Sequence, residues 1–92
     1  MFGLPEKIVI FDIECTTWEG ALARNWSGPG EHRELVQLGA VLVETKTFTE
    51  LIEFKCFVKP ARNPVLSKYF IDLTGITQET VDKYGTDFRF PN

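Results

Sequence analysis

The chain has 92 residues, which is enough for one small domain. Hydrophobic residues make up 43% and charged residues 25%, and these ordinary globular proportions exclude a disordered, collagen-like or coiled-coil chain. The net charge is −3, which excludes a broad basic surface for nucleic acid, so any such contact is local or bridged by metal ions.

The cysteines and the chain start indicate the compartment. Cys15 and Cys56 lie in apolar stretches outside any Cys-x-x-Cys pair, and the single His32 forms no zinc pattern with them. We expect both thiols to be reduced, half-buried side chains. The first residues lack a secretory signal, and no apolar run approaches the roughly 20 residues of a membrane helix. We therefore expect a cytoplasmic protein that binds no membrane.

The first predicted strand is the apolar, β-branched run Ile8–Phe11, which resembles a strand buried on both faces. The next segment, Trp18–Arg33, is rich in glycine, proline and asparagine, and it predicts a loop with one helical turn at Ala21–Arg24. Connections of this length within a compact domain tend to be functional or disordered.

Two more strands follow. Leu35–Glu44 contains Gly39 and three valines, which favours a strand over a helix. Leu51–Lys59 alternates between apolar and charged residues and predicts a half-exposed strand that ends before Pro60. The polar link Thr45–Glu50 suits an antiparallel hairpin between the two strands.

Two short helices are predicted next. An apolar stripe with helical spacing contains Leu66, Tyr69, Phe70 and Leu73. Ser67 suits the N-cap of this helix and Gly75 its C-terminal cap. Thr77 caps a second helix that ends at Gly85.

The predicted order is therefore strand, strand, strand, helix, helix. This is an α/β chain in an α+β arrangement, with three antiparallel strands followed by two short helices. Such a set leaves one sheet edge and one sheet face exposed, so we interpret it as an incomplete domain.

Asp12 and Glu14 are the candidate catalytic residues. Side chains two positions apart on a strand share a face, and two carboxylates there repel by roughly 2–3 kcal/mol. A divalent cation such as Mg²⁺ or Mn²⁺ would relieve that repulsion, and two such ions can hold the attacking and leaving oxygens of a phosphodiester. The alternative is a strand that simply ends in solvent, because the spacing alone is unspecific.

Thr16, Thr17 and Trp18 follow directly. Hydroxyl groups and an aromatic ring can contact a phosphate or stack on a base. Turn residues with one core tryptophan are the alternative interpretation.

These segments together resemble the DEDD 3′→5′ exonuclease family. Phe11–Thr17 is similar to the first exonuclease motif of that family, Glu34–Val41 to its second strand and Phe57–Pro60 to the end of its third strand. Leu73–Val81 is similar to the stretch that touches the terminal nucleotide. The order and gaps also agree, over almost the whole chain. The segment Trp18–Glu34 resembles an insertion of uncharacterised bacterial members.

The resemblance implies a ribonuclease-H-like fold, two Mg²⁺ or Mn²⁺ ions and a single-stranded 3′ end of RNA or DNA as substrate. Asp12 would bridge both ions, and Glu14 would bind one and position the attacking water. The residues implied to hold the 3′-terminal nucleotide are Cys15, Thr16, Thr17, Trp18, Leu73, Thr74 and Ile76. A core role is the alternative for Leu73 and Ile76.

The chain departs from the family pattern in its acidic residues. The family has four, and this chain supplies the first two; the third, the fourth and the histidine or tyrosine that orients the water are expected outside residues 1–92. We therefore expect residues 1–92 to be the N-terminal portion of one exonuclease domain, inactive or nearly so alone. Asp72, Asp82 and Asp87 are replacement ligands by composition only.

Two other hypotheses stay open. The chain could be a non-catalytic, nuclease-like interaction module, completed at its open sheet edge by a second copy or another chain. It could also be an α+β domain whose Asp-x-Glu spacing is accidental. Metal binding that depends on Asp12 separates both from the exonuclease hypothesis.

Overall fold

The computed structural model describes residues 3–87. Its strands are β1 (Lys7–Cys15), β2 (Leu35–Glu44), β3 (Thr49–Lys59) and β4 (Thr86–Asp87). Its helices are α1 (Lys68–Thr74) and α2 (Gln78–Tyr84).

The strands form one sheet in the order β1-β2-β3-β4. β1 pairs antiparallel with β2, and β2 pairs antiparallel with β3. The predicted order of three strands and two helices is confirmed. β4 was not predicted; it is a two-residue strand parallel to the end of β3, too short to carry an alternation pattern.

The predicted helix caps are confirmed. Ser67 Oγ accepts a hydrogen bond from the Phe70 N–H at 3.0 Å and caps α1. Gly75 ends α1 at φ 75°, a left-handed conformation that favours glycine. Thr77 caps α2 by accepting from the Thr80 N–H at 3.2 Å.

The core lies where the two helices cover one end of the sheet. Its buried members are Val36, Leu66, Phe70, Ile76 and Val81, with Phe57 and Ile71 packed against them. A register shift where Glu14 and Cys15 pair with β2 accompanies the full burial of Val36.

β1 is not buried on both faces, and that prediction is wrong for the described chain. Val9 and Phe11 are 62% and 67% exposed, and Ile10 on the opposite face is also exposed. The reason is that the helices cover only the end of the sheet near Val36. A predicted open sheet face and open sheet edge are present among residues 3–87, and the open edge is that of β1.

Threonines fix β1 at both of its ends. Near its start, Thr45 donates its hydroxyl to the Pro5 carbonyl at 2.6 Å and its N–H to the Glu6 carbonyl at 3.0 Å. Beyond its end, the Thr16 N–H donates to the Glu34 carbonyl at 2.8 Å. The register of β1 on β2 is therefore set from both sides.

The long connection between β1 and β2 consists of turns. One bond, from the Arg24 N–H to the Gly20 carbonyl at 3.2 Å, has helical spacing, so the predicted helical turn is reduced to a hydrogen-bonded turn. Glu31 is paired with Arg24 and accepts from the Gly28 N–H at 3.1 Å. These contacts give the loop its own internal structure.

Cys15 and Cys56 are both unpaired and half-buried, as predicted. None of the helices within residues 3–87 is long and apolar enough to cross a membrane.

Candidate active site

Asp12 and Glu14 share one face of β1. Their Cα partners on β2 are Gly39 and Gln37, and directly opposite residues of paired strands point to the same side. A Cβ atom at Gly39 would meet no atom within 4 Å. The sheet therefore leaves open space beside the Asp12 carboxylate.

No basic side chain neutralises this carboxylate pair in the described part of the chain. Within residues 3–87 the ion pairs are Arg24–Glu31 and Lys68–Asp72. Asp12 Oδ1 accepts only from its neighbour, the Ile13 N–H, at 2.9 Å among the bonds of these residues. Two carboxylates on one face of a strand, with no ion-pair partner among residues 3–87, are a donor set that suits Mg²⁺ or Mn²⁺.

The same range contains no cluster of three or more acidic, histidine or cysteine side chains that could hold a metal ion. Asp72 is paired with Lys68, and Asp82 accepts from Gln78 Nε2 at 3.0 Å. The Asp87 side chain lies outside the part that the structure describes. The residues present therefore fit part of a metal site and supply two of its ligands.

A cleft of ≈ 500 Å³ is lined by Glu14, one of the two carboxylates, whereas Asp12 lies outside its lining. Four predicted site residues line it: Glu14, Cys15, Thr17 and Leu73. Leu73 comes from the end of α1 and is 64% exposed, so its side chain is available to a ligand. The structure thus joins the end of β1 to the end of α1, which are distant in sequence.

The other predicted nucleotide contacts do not line this cleft. Thr16 is 3% exposed, and its hydroxyl donates to the His32 carbonyl at 2.5 Å and accepts from the Glu34 N–H at 2.9 Å. Thr74 donates to the Phe70 carbonyl at 2.9 Å. Ile76 belongs to the core, which is the alternative that the sequence left open. Trp18 is half-buried and lies outside the lining.

The side chains of the cleft that sequence reasoning missed include Trp26, Arg33 and Tyr69. The Trp26 Nε1–H donates to the Thr16 carbonyl at 2.8 Å, which draws the loop over the end of β1. The Arg33 guanidinium lies 4.6 Å from the centre of the Trp26 ring. Tyr69 has a sequence signal, because it belongs to the apolar stripe of α1. Trp26 and Arg33 have none, because contacts within a loop follow no periodic spacing.

The Arg24–Glu31 pair stabilises the loop that carries Trp26. Hydrogen bonds from the Arg24 guanidinium hold the pKa of Glu31 below its usual range, and the Gly28 N–H adds to the effect. The same contact raises the pKa of Arg24. Both charges persist at neutral pH, so the loop keeps this contact under ordinary conditions.

Glu14 thus links the carboxylate pair to the cleft, and the comparisons with known proteins give the class. The chain belongs to the exonuclease family (RNase_T), whose sequence pattern matches residues 9–87. This confirms the family resemblance.

Individual relatives agree with the family. The 3′-5′ exonuclease Snipper of Drosophila melanogaster is 37% identical over 75 residues, which cover 82% of this chain and 25% of that protein. Human ERI1 exoribonuclease 2 is 34% identical over 81 residues, which cover 87% of this chain and 11% of that protein. The chain thus spans a quarter or less of the length of these relatives.

Solved structures agree with the fold. The nuclease domain of 3′hExo, a DEDDh family member bound to rAMP, matches with a TM-score of 0.72 and 35% identity, over 88% of this chain and 38% of that chain. The 3′-exonuclease seen recognising a histone mRNA stem-loop matches with a TM-score of 0.73 and 36% identity, over 88% of this chain and 33% of that chain. The predicted ribonuclease-H-like arrangement is therefore confirmed. The described residues correspond to part of such a domain.

Proposed function

We propose that the chain is the N-terminal portion of a single domain of a metal-dependent 3′→5′ exonuclease. Its substrate class is the single-stranded 3′ end of RNA or DNA, and the reaction is hydrolysis of the terminal phosphodiester. One observation carries the proposal: Glu14, from the carboxylate pair on β1, lines the same cleft as Leu73 of α1. The family of the chain supports it.

Asp12 and Glu14 would hold the divalent cations, Mg²⁺ or Mn²⁺. When bound, such ions neutralise phosphate charge and make water a better nucleophile. The open space at Gly39 supports a ligand beside Asp12, because no side chain competes for it. The remaining ligands of the family pattern belong, in this proposal, to the rest of the domain.

Cys15, Thr17 and Leu73 would contact the terminal nucleotide directly from the lining of the cleft. Thr16, Thr74 and Ile76 would support these residues from behind, since their contacts are within the chain. A nucleotide contact by Trp18 stays a prediction, as do the cytoplasmic location and the likeness of Trp18–Glu34 to bacterial members.

Metal binding tests this proposal without the missing ligands. We expect a calorimetric titration of the 92-residue chain with Mn²⁺ to show weak binding, reduced about tenfold or more by Asp12→Asn or Glu14→Gln, because each substitution removes one charged ligand. Glu50→Gln, an exposed carboxylate near the start of β3, is the matched control and should leave the affinity unchanged. Equal affinities in all four proteins would contradict the proposal.

A second candidate function is favoured by the open side of the sheet. The exposed apolar face, and the edge of β1 that no strand within residues 3–87 pairs with, suit a non-catalytic module completed by a second copy or by another chain. If this second function is correct, Mn²⁺ binding should not depend on Asp12. Sedimentation velocity should then show a defined homodimer or hetero-complex.

A further inference from the structure

The cleft carries a charge pattern that the exonuclease proposal does not use. Among the residues that line it, Glu14 is the negatively charged one and Arg33 is the positively charged one. The other lining residues are mostly apolar or aromatic: Ile13, Leu22, Ala23, Trp26, Tyr69 and Leu73. A volume of ≈ 500 Å³ lies within the usual range of ligand sites. An apolar wall with one cation matches a nucleobase and a phosphate.

Arg33 is held in a way that leaves its donors available. Its guanidinium lies over the Trp26 ring, 4.6 Å from the ring centre, and a contact with the ring face does not consume the N–H donors of the group. Arg33 is exposed and takes part in neither ion pair found within residues 3–87. The paired N–H donors of a guanidinium group are suited to bidentate contact with phosphate oxygens.

Trp26 is itself fixed by the loop. Its Nε1–H donates to the Thr16 carbonyl at 2.8 Å and its backbone N–H to the Ala21 carbonyl at 2.9 Å. Asn25 and Trp26 have φ values of 53° and 55°, a left-handed conformation that is unfavourable for a bulky residue and persists only where surrounding contacts impose it. The platform under Arg33 is therefore built into the loop.

We propose that Arg33, held on the Trp26 ring, is a phosphate-binding subsite for the strand that enters the cleft. The inference rests on the proposed exonuclease function and extends it, since the metal ions near Asp12 would hold the scissile phosphate whereas Arg33 binds another backbone phosphate. In a chain of net charge −3, this local cation provides the attraction that the overall charge does not.

The test measures how binding of a single strand depends on salt. The full 92-residue chain is titrated, in MnCl₂, into a 5′-fluorescein-labelled thymidylate hexamer and into the uridylate hexamer, and anisotropy is recorded over a series of NaCl concentrations. For Arg33→Ala we expect affinity to fall about tenfold and the slope of log K against log salt to shrink by about 0.7, the value for one lost phosphate contact to a single strand.

Matched variants separate charge from geometry. Arg62→Ala removes the same charge from an exposed arginine outside the cleft and should leave the slope unchanged. Arg33→Lys keeps the charge without the paired N–H donors and should lose less affinity than Arg33→Ala. Trp26→Leu removes the platform and should weaken binding while the slope falls only in part, because Arg33 remains but is no longer held.

The outcomes distinguish the two levels of the proposal. A wild-type chain that binds neither hexamer in Mn²⁺ overturns the exonuclease function and with it the subsite. A wild-type chain that binds, with Arg33→Ala equal to Arg62→Ala in both affinity and slope, overturns the subsite alone. If Arg33→Ala lowers the affinity for only one of the two hexamers, the result supports the subsite and assigns the sugar type of the strand.

Discussion

Thr16 connects the end of β1 to the start of β2 through a single buried hydroxyl. That hydroxyl donates to the His32 carbonyl and accepts from the Glu34 N–H. Buried polar groups that lose their partner retain the full cost of desolvation. Thr16 therefore stabilises the backbone beside the cleft, because its neighbours Cys15 and Thr17 line that cleft.

Thr16→Val, which replaces the hydroxyl with a methyl group of similar size, should lower the free energy of unfolding by about 2 kcal/mol, because it leaves two partly buried backbone groups, the His32 carbonyl and the Glu34 N–H, without this partner. Urea unfolding measured by circular dichroism checks this value. Thr16→Ser keeps the hydroxyl and should recover most of the loss, and Thr47→Val at an exposed hydroxyl should change little. A loss below about 0.5 kcal/mol for Thr16→Val, within the range of surface substitutions, would refute this role.

Sequence alone placed Asp12 and Glu14 correctly on one face, because strand alternation is a local rule that needs no tertiary contact. It could not separate a threonine that is buried in hydrogen bonds, Thr16, from one that lines the cleft, Thr17. Both use the same hydroxyl, and the partners of Thr16 lie 16 and 18 positions away. That distance has no local signature.

The loop between β1 and β2 acts as a structural element in its own right. Arg24 joins its two halves by bonding Glu31 and by donating Nη1–H to the Glu19 carbonyl at 2.9 Å. The lowered pKa of Glu31 links this order to pH. A carboxyl group with a depressed folded pKa contributes stability above its unfolded pKa, and the contribution is lost as pH falls through the folded value.

We expect the loop to loosen in acid before the sheet unfolds. In a Trp18→Phe background, Trp26 is the remaining tryptophan, and its fluorescence should shift at a pH below the ordinary titration range of glutamate while far-ultraviolet circular dichroism stays constant. Glu31→Gln should show the shifted signal already at neutral pH, and Glu19→Gln should behave as the parent. A pH-independent Trp26 signal in the parent would count against the link.

Elements with local signals were predictable, and those without were not. Ser67 and Gly75 mark the ends of α1 because capping involves residues within one turn. The Trp26–Arg33 contact depends on how the loop folds, so no periodicity reveals it. The apolar run of β1 indicated a strand correctly but burial wrongly, since burial depends on what packs against it.

The uncovered face of the sheet is the main feature of the whole molecule. Cross-strand pairing sets Phe11, Ala40 and Phe54 side by side, and Val9, Ile13 and Ile52 share this side. It continues the surface that α1 and α2 cover at Val36. An exposed apolar patch of this kind marks an interaction site or a tendency to aggregate.

The isolated chain should bind a hydrophobic dye and self-associate at micromolar concentration. The double variant Phe11→Thr with Phe54→Thr should reduce both signals and change the free energy of unfolding by less than about 0.5 kcal/mol, because both rings are exposed. Phe48→Thr, an exposed ring on the hairpin turn, is the control and should leave both signals high. Dye fluorescence and sedimentation velocity measure them, and a dye-free monomer in the parent chain would contradict the expectation.

The threonine contacts at both ends of β1 have a consequence for the order of folding. β2 and β3 are joined by the short turn at residues 45–48, so their hairpin closes locally, whereas β1 is separated from β2 by residues 16–34. Closing the longer loop costs more chain entropy and is slower. β1 is synthesised first, yet Thr45 and Glu34, which fix its register, are synthesised later. We therefore expect β1 to be the last of these three strands to pair during translation, although it is made before β2 and β3.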